Sequence, residues 1–110
     1  MRIPAWSYAL ALGALLSVGA IAPISRAADT TTIAIKSFHF GPPEISIAAG
    51  TTVTWQNQDE EPHTITSTSG DFRSGAIDGG ESFSFKFDKP GRYQYVCSIH
   101  PRMVGTVVVK

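Results

Sequence analysis

From Ser82 to Phe87 the sequence alternates strictly, with Phe83, Phe85 and Phe87 at every second position and Ser82, Ser84 and Lys86 between them. Such a run cannot bury one face as a helix, because a 3.6-residue period would spread its aromatic rings around the whole cylinder. As a strand it puts three rings on one side and leaves the polar side to water. The same period recurs along the chain. Ile33 and Ile35 alternate within Thr31 to Lys36, Ile45 and Ile47 within Glu44 to Ala48, and Val53 and Trp55 within Thr51 to Asn57. Tyr93, Tyr95 and Cys97 share a face of Arg92 to Cys97, and Gly105 to Lys110 closes the chain. Turn residues separate the runs: Gly41-Pro42-Pro43, Ala49-Gly50, and Asp88-Lys89-Pro90-Gly91, which reads as a β-turn. Short alternating strands at such spacing predict an all-β sandwich. Ser67 to Gly80, rich in Ser, Gly and Asp, reads as a loop or irregular edge with room for a short helical turn. Trp55, Phe83, Phe85, Phe87 and Tyr93 are the expected aromatic core.

The N-terminus is of another kind. No charge lies between Arg2 and Arg26, and the run from Ala9 to Ala22 is apolar and small. A basic start, an apolar middle and the small residues Ser25 and Ala27 describe a secretory signal peptide cleaved after Ala27. Gly13, Gly19 and Pro23 weaken the alternative, a retained membrane anchor. The expected division is therefore a signal peptide at 1–27 and one domain at 28–110, exported and without a membrane span in its mature form. The mature part has seven Lys/Arg and nine Asp/Glu. That balance excludes a general nucleic-acid binder. Low charge with many strand formers excludes a disordered chain.

Cys97 is the only cysteine. An exported domain uses cysteines in pairs, so a single one signals a reactive thiol, an intermolecular bridge or a metal ligand. The motif Cys97-Ser98-Ile99-His100-Pro101-Arg102-Met103 holds that cysteine, one of three histidines and the only methionine of the mature part. It lies between two expected strands, so its donors can converge from one loop. A second imidazole, His63 of Glu61-Pro62-His63-Thr64, follows the strand ending at Asn57. A thiolate, two imidazoles and a thioether are the donor set of a blue-copper site with a weak axial Met. Zinc favours four Cys or His donors, so Met103 points to copper. Each residue taken singly has a structural reading, with Cys97 as a small core residue and Met103 as a gap-filler. The convergence of all four argues otherwise. His39 lies opposite its Phe neighbours by alternation and is expected to be exposed and unligated.

The segments Val53-Thr54-Trp55-Gln56-Asn57, Pro62-His63, Gly91-Arg92-Tyr93-Gln94-Tyr95-Val96-Cys97, His100-Pro101-Arg102-Met103 and Gly105-Thr106-Val107-Val108-Val109 resemble the cupredoxins, specifically the amicyanin type with its compact Cys-x-x-His-Pro-x-Met loop. The resemblance implies a Greek-key β-sandwich and a single type 1 copper. It makes His63, Cys97 and His100 the equatorial ligands and Met103 the axial one. It also implies a monomeric one-electron carrier in the periplasm, working between redox proteins such as a periplasmic dehydrogenase and a c-type cytochrome. No catalytic acid or base is expected. The chain departs from the pattern at Thr64, where amicyanin-like proteins commonly carry an Asn that tethers the two ligand loops.

Other functions fit less well. A copper-delivery protein would use the same ligands in a more open, Met- or His-rich site. A nitrite reductase or multicopper oxidase needs more domains and more copper sites. A cysteine hydrolase needs an oxyanion hole and an orienting partner, neither of which is evident. Electrons would pass through the edge of His100, rimmed by Ile99 and Pro101. Asp59, Glu60 and Glu61 offer an acidic patch that steers a basic partner, or a solvated loop. Arg102 offers an opposite charge on the ligand loop.

Overall fold

A computed structural model describes residues 29–110; the expected signal peptide lies outside the described residues. Eight strands form two four-stranded sheets: β1 Thr30–Lys36, β2 His39–Gly41, β3 Glu44–Ile47, β4 Thr51–Asn57, β5 Thr66–Ser67, β6 Ser82–Phe87, β7 Gly91–Val96 and β8 Val104–Val109. One sheet has the order β2-β1-β4-β6 and the other β3-β8-β7-β5. The pairs β1·β4 and β3·β8 are parallel and the others antiparallel. No helix occurs among the described residues.

Alternation places the core between the sheets. Ile33 and Ile35 of β1, Val53 and Trp55 of β4, Phe87 of β6, Tyr95 of β7 and Val107 and Val109 of β8 are buried there. Trp55 is ringed by Phe72, Phe83, Phe87 and Tyr95, with centroids 5.3–6.3 Å away. Phe83 and Phe85 are only partly buried because β6 is an edge strand. The loop expected at 67–80 contributes more than expected, since Phe72 and Ile77 are buried. Its start, Ser67, ends the short edge strand β5, and no helical turn follows.

Asp88 to Gly91 carries the chain from β6 in one sheet to β7 in the other. One local expectation is corrected. Phe38 does not share the buried face of Phe40. Lys36 pairs with His39, so Ser37 and Phe38 form a two-residue hairpin loop, with φ of 53° and 59°. Positive φ at both central residues is the requirement of a type I′ turn, which normally takes Asn-Gly. The left-handed conformation costs an L-residue about 1–2 kcal/mol. It also reverses the chain within two residues, so Phe40 points into the core while Phe38 stands 42% exposed.

The topology brings four strand ends together. β1, β4 and β7 end, and β8 begins, at the same end of the sandwich, where Phe38, His63, Cys97, His100 and Met103 are found.

Candidate metal centre

Cys97 and Met103 are placed by strand register. β7 and β8 pair with Val96 opposite Val104, so the next opposed positions are Cys97 and Met103. Cys97 N–H donates to the Met103 carbonyl at 3.0 Å, and Met103 N–H to the His100 carbonyl at 2.9 Å. The seven-residue motif is thus the closed tip of a hairpin. Continuing the inward ladder Tyr93–Val107 and Tyr95–Gly105, both sulfur side chains point between the sheets and are buried. Directly opposed residues hold their Cβ atoms about 4.5–5.5 Å apart, so this register alone puts the thioether beside the thiol.

His63 is pinned by its backbone. Its N–H donates to the Ile77 carbonyl at 3.0 Å, and Ile77 N–H returns a bond to the His63 carbonyl at 2.7 Å. Asn57, at the end of β4, folds the intervening loop. Its Nδ2 donates to the carbonyls of Glu61 and Ile77 at 2.8 and 2.9 Å, and its Oδ1 accepts Asp59 N–H at 2.9 Å. Sequence reasoning overlooked Asn57, although period two places it on the inward face with Val53 and Trp55. A polar residue at an inward position must find buried partners.

The three donors converge. The ligand atoms of His63, Cys97 and His100 all lie within 4.8 Å of one another. Cys97 Sγ is 3.9 Å from His63 Nδ1 and 3.7 Å from His100 Nδ1. Thiolate and imidazole bonds of about 2.3 and 2.0–2.1 Å to a first-row metal, opened at 120°, require a separation of about 3.8 Å. Both sulfur–nitrogen separations therefore fit one shared metal ion, with the Met103 side of the hairpin alongside. The donor chemistry suits copper better than zinc, as a thioether does not complete a zinc site. His63 and Cys97 are fully buried and His100 is partly exposed. His39 is exposed, its Nδ1 2.6 Å from the Ser37 carbonyl, and it takes no part in the cluster.

Thr64 resolves the departure from the expected Asn. Its backbone N–H donates to Cys97 Sγ at 3.3 Å. Its Oγ1 accepts Ser98 N–H at 2.7 Å and lies 2.9 Å from Ser98 Oγ and 3.2 Å from Thr66 Oγ1. A hydroxyl therefore ties the His63 loop to the Cys97 loop. Burial opposes ionisation of Cys97, but Thr64 N–H, the side chains of His63 and His100, and the His100 backbone outweigh it. The thiol is brought down to about 6, so the ligand form is present at neutral pH.

Asp59 is not the solvated charge its neighbours suggest. Its Oδ1 accepts Ser37 N–H at 2.6 Å; its Oδ2 accepts Phe38 N–H at 3.0 Å and meets His63 Nε2 at 2.9 Å. With Nδ1 of His63 facing the sulfur, Nε2 carries the proton and donates to the carboxylate. Burial works against the charge, but the amides of Phe38 and Ser37 and the His63 ring outweigh it and hold Asp59 below the ordinary carboxylate range. Glu60 and Glu61 are exposed. Three large hydrophobic side chains are exposed among the described residues: Phe38, Ile99 at 49% and Val104 at 41%. Phe38 touches the His100 ring, Ile99 lies within the ligand loop and Val104 directly follows it.

Comparison with known proteins gives the family. The cupredoxin-like domain family matches residues 8–109. The amicyanin-alpha of Methylorubrum extorquens is 37% identical over 119 aligned residues, covering all of both chains. The solved Cu(I) form of an amicyanin mutant superposes with a TM-score of 0.71 at 29% identity, over 76% of this chain and 85% of that one. A copper-containing nitrite reductase from Thermus scotoductus matches 74% of this chain with a TM-score of 0.70 at 30% identity, but only 22% of its own length. From its strand order to its ligand loop, this chain belongs to the cupredoxin-like family, in its amicyanin-like branch.

Proposed function

We propose that the chain is a periplasmic one-electron carrier whose single type 1 copper is held by His63, Cys97, His100 and Met103. The convergence of one low-pKa thiol and two imidazoles within reach of a single metal ion, beside a buried thioether, carries this reading. Bound copper would supply the Cu(II)/Cu(I) couple. The chain's part is to keep the donors in one arrangement for both valences. The hairpin fixes Cys97 and Met103, the Ile77 bridge fixes His63, and Thr64 joins the two loops. Buried His63 and Cys97 disfavour a delivery protein, which must surrender its metal through accessible ligands.

Electrons enter and leave at the partly exposed His100, where Phe38, Ile99 and Val104 form an apolar rim. Such a rim suits brief docking on a small interface. The partners are redox proteins. The amicyanin likeness favours a periplasmic dehydrogenase as donor and a c-type cytochrome as acceptor, with the chain working as a monomer. The nitrite reductase relative is a far longer protein; this chain is read as a carrier and not an enzyme.

The test is the visible and EPR spectrum of residues 28–110 after addition of Cu(II). Intense thiolate-to-copper charge transfer with narrow hyperfine splitting is expected, together with its loss in Cys97→Ser. A colourless adduct with ordinary Cu(II) signals would overturn the assignment.

A further inference from the structure

The β1–β2 turn is costly and yet held in place. Ser37 and Phe38 both adopt the left-handed conformation, although neither is the Asn or Gly such a turn prefers. Hydrophobic burial does not explain it, because the turn leaves Phe38 exposed. The turn is held instead by Asp59, which accepts both of its amides and also takes the His63 imidazole N–H. One carboxylate thus fastens a strained hairpin to a buried ligand of the metal centre.

The turn delivers the Phe38 ring to two imidazoles at once. Its centroid lies 5.2 Å from that of His63 and 5.0 Å from that of His100, with interplanar angles of 88° and 86°. Both are edge-to-face contacts of the favourable kind. The two histidine rings are themselves 5.1 Å apart. His63 has backbone and side-chain anchors of its own. His100 sits on the hairpin tip and is partly exposed, so the Phe38 contact acts chiefly on His100.

We propose that Phe38 and Asp59 are positioning residues for the metal centre: Asp59 locks the Ser37–Phe38 turn, and the turn braces His100 in its ligating orientation before any metal arrives. The proposal rests on the reading of His63 and His100 as ligands, but it concerns their rings in the metal-free protein and can be tested there.

The experiment follows the His100 ring by NMR in metal-free residues 28–110, beside hydrogen exchange of the Ser37 and Phe38 amides. In Phe38→Ala the His100 ring signals are expected to broaden or double, and Phe38→Tyr is expected to restore them, since it keeps the ring. Asp59→Ala is expected to remove amide protection from the turn and to mobilise His100 as well. The paired change Ser37→Asn with Phe38→Gly supplies the residues a type I′ turn prefers without a ring. It is expected to keep the hairpin and still free His100, which separates the brace from the integrity of the turn. Copper loss from the reloaded Phe38→Ala protein is expected to be about tenfold faster, about 1.4 kcal/mol. A His100 ring as sharp in Phe38→Ala and in the paired variant as in the parent would overturn the proposal. Failure to bind copper with a normally braced ring would overturn the electron-carrier reading and leave the brace standing.

Discussion

Thr64→Val tests whether the two ligand loops are tied by one hydroxyl. Valine matches threonine in shape, so packing at this buried site is kept while Oγ1 is lost. The backbone N–H to Cys97 Sγ is untouched. What disappears is the acceptor for Ser98 N–H at 2.7 Å, with the hydroxyl contacts to Ser98 and Thr66 and a long 3.9 Å contact to Cys97 Sγ. Ser98 is exposed, and its side chain can turn to water, so the cost is mainly the stranded amide. A lost bond of this kind costs about 0.5–1.5 kcal/mol and an orphaned group about 1–3. The expected loss is therefore about 1–2 kcal/mol. In a domain of this size each kcal/mol lowers Tm by about 4–8 °C. Urea unfolding of the metal-free protein measures the loss, and the Cu(II) spectrum reports the site. Stability should fall while the charge-transfer band persists, because the backbone bond to sulfur remains. An unchanged unfolding midpoint would mean that the hydroxyl ties nothing together. Loss of the band with unchanged stability would mean that it acts on the sulfur directly.

Other outcomes follow from the same geometry. A Cβ on Gly105 would run into Cζ and Oη of Tyr95, so Gly105→Ala should cost about 3 kcal/mol by overpacking; a loss below about 1 kcal/mol in denaturant unfolding would show that the ring slides aside. Removing the Asn57 side chain breaks three bonds at a fully buried position, and Asn57→Ala should cost about 2–4 kcal/mol. Near-parental stability of that variant would remove Asn57 from the scaffold of the His63 loop. Burial, only partly offset by the Trp55 indole, pushes the Tyr95 phenol up from 10.0 to about 12. Its neutral form thus favours the folded state fully below pH 10, and that contribution is lost as pH rises toward 12. In a Tyr93→Phe form of residues 28–110, phenolate absorbance should appear only near the upper value, and a titration near 10 would contradict the burial. Neutralising Glu60 and Glu61 should slow reduction of a small cationic oxidant at low salt and have little effect at physiological ionic strength, where screening acts within about 8 Å. Equal slowing at both ionic strengths would rule out steering.

The sheets were legible because burial in a sandwich is decided by position parity, which a sequence displays directly. Ile33, Ile35, Val53, Trp55, Phe87 and Tyr95 all fall where alternation puts them. The convergence of Cys97, His100 and Met103 was legible for a different reason: they share one hairpin tip, and local chain geometry can bring them together. Phe38 was misread because its turn lacks the Asn-Gly signature, so alternation was carried through a reversal. Asp59 was misread because its partners Ser37 and Phe38 lie 22 and 21 residues away. An acidic residue beside Glu60 and Glu61 looks like part of a charge run until the β1–β2 turn is placed above it. Phe72 and Ile77 were missed because their anchoring of an irregular segment leaves no period to detect.

Asn57, Asp59 and Thr64 share one property that sequence pattern does not expose. Each is a polar side chain that bonds at least one backbone amide or carbonyl of another segment. Backbone partners carry no residue identity, so the chain records only the side-chain half of each bond. The three side chains act in series around one imidazole. Asn57 shapes the loop that carries His63, Asp59 orients its ring, and Thr64 joins that loop to the cysteine hairpin. A carrier that must present the same ligand positions to two oxidation states needs such a frame more than it needs any further ligand. The frame is built from backbone bonds because these fix loop position without adding a donor that competes for the metal.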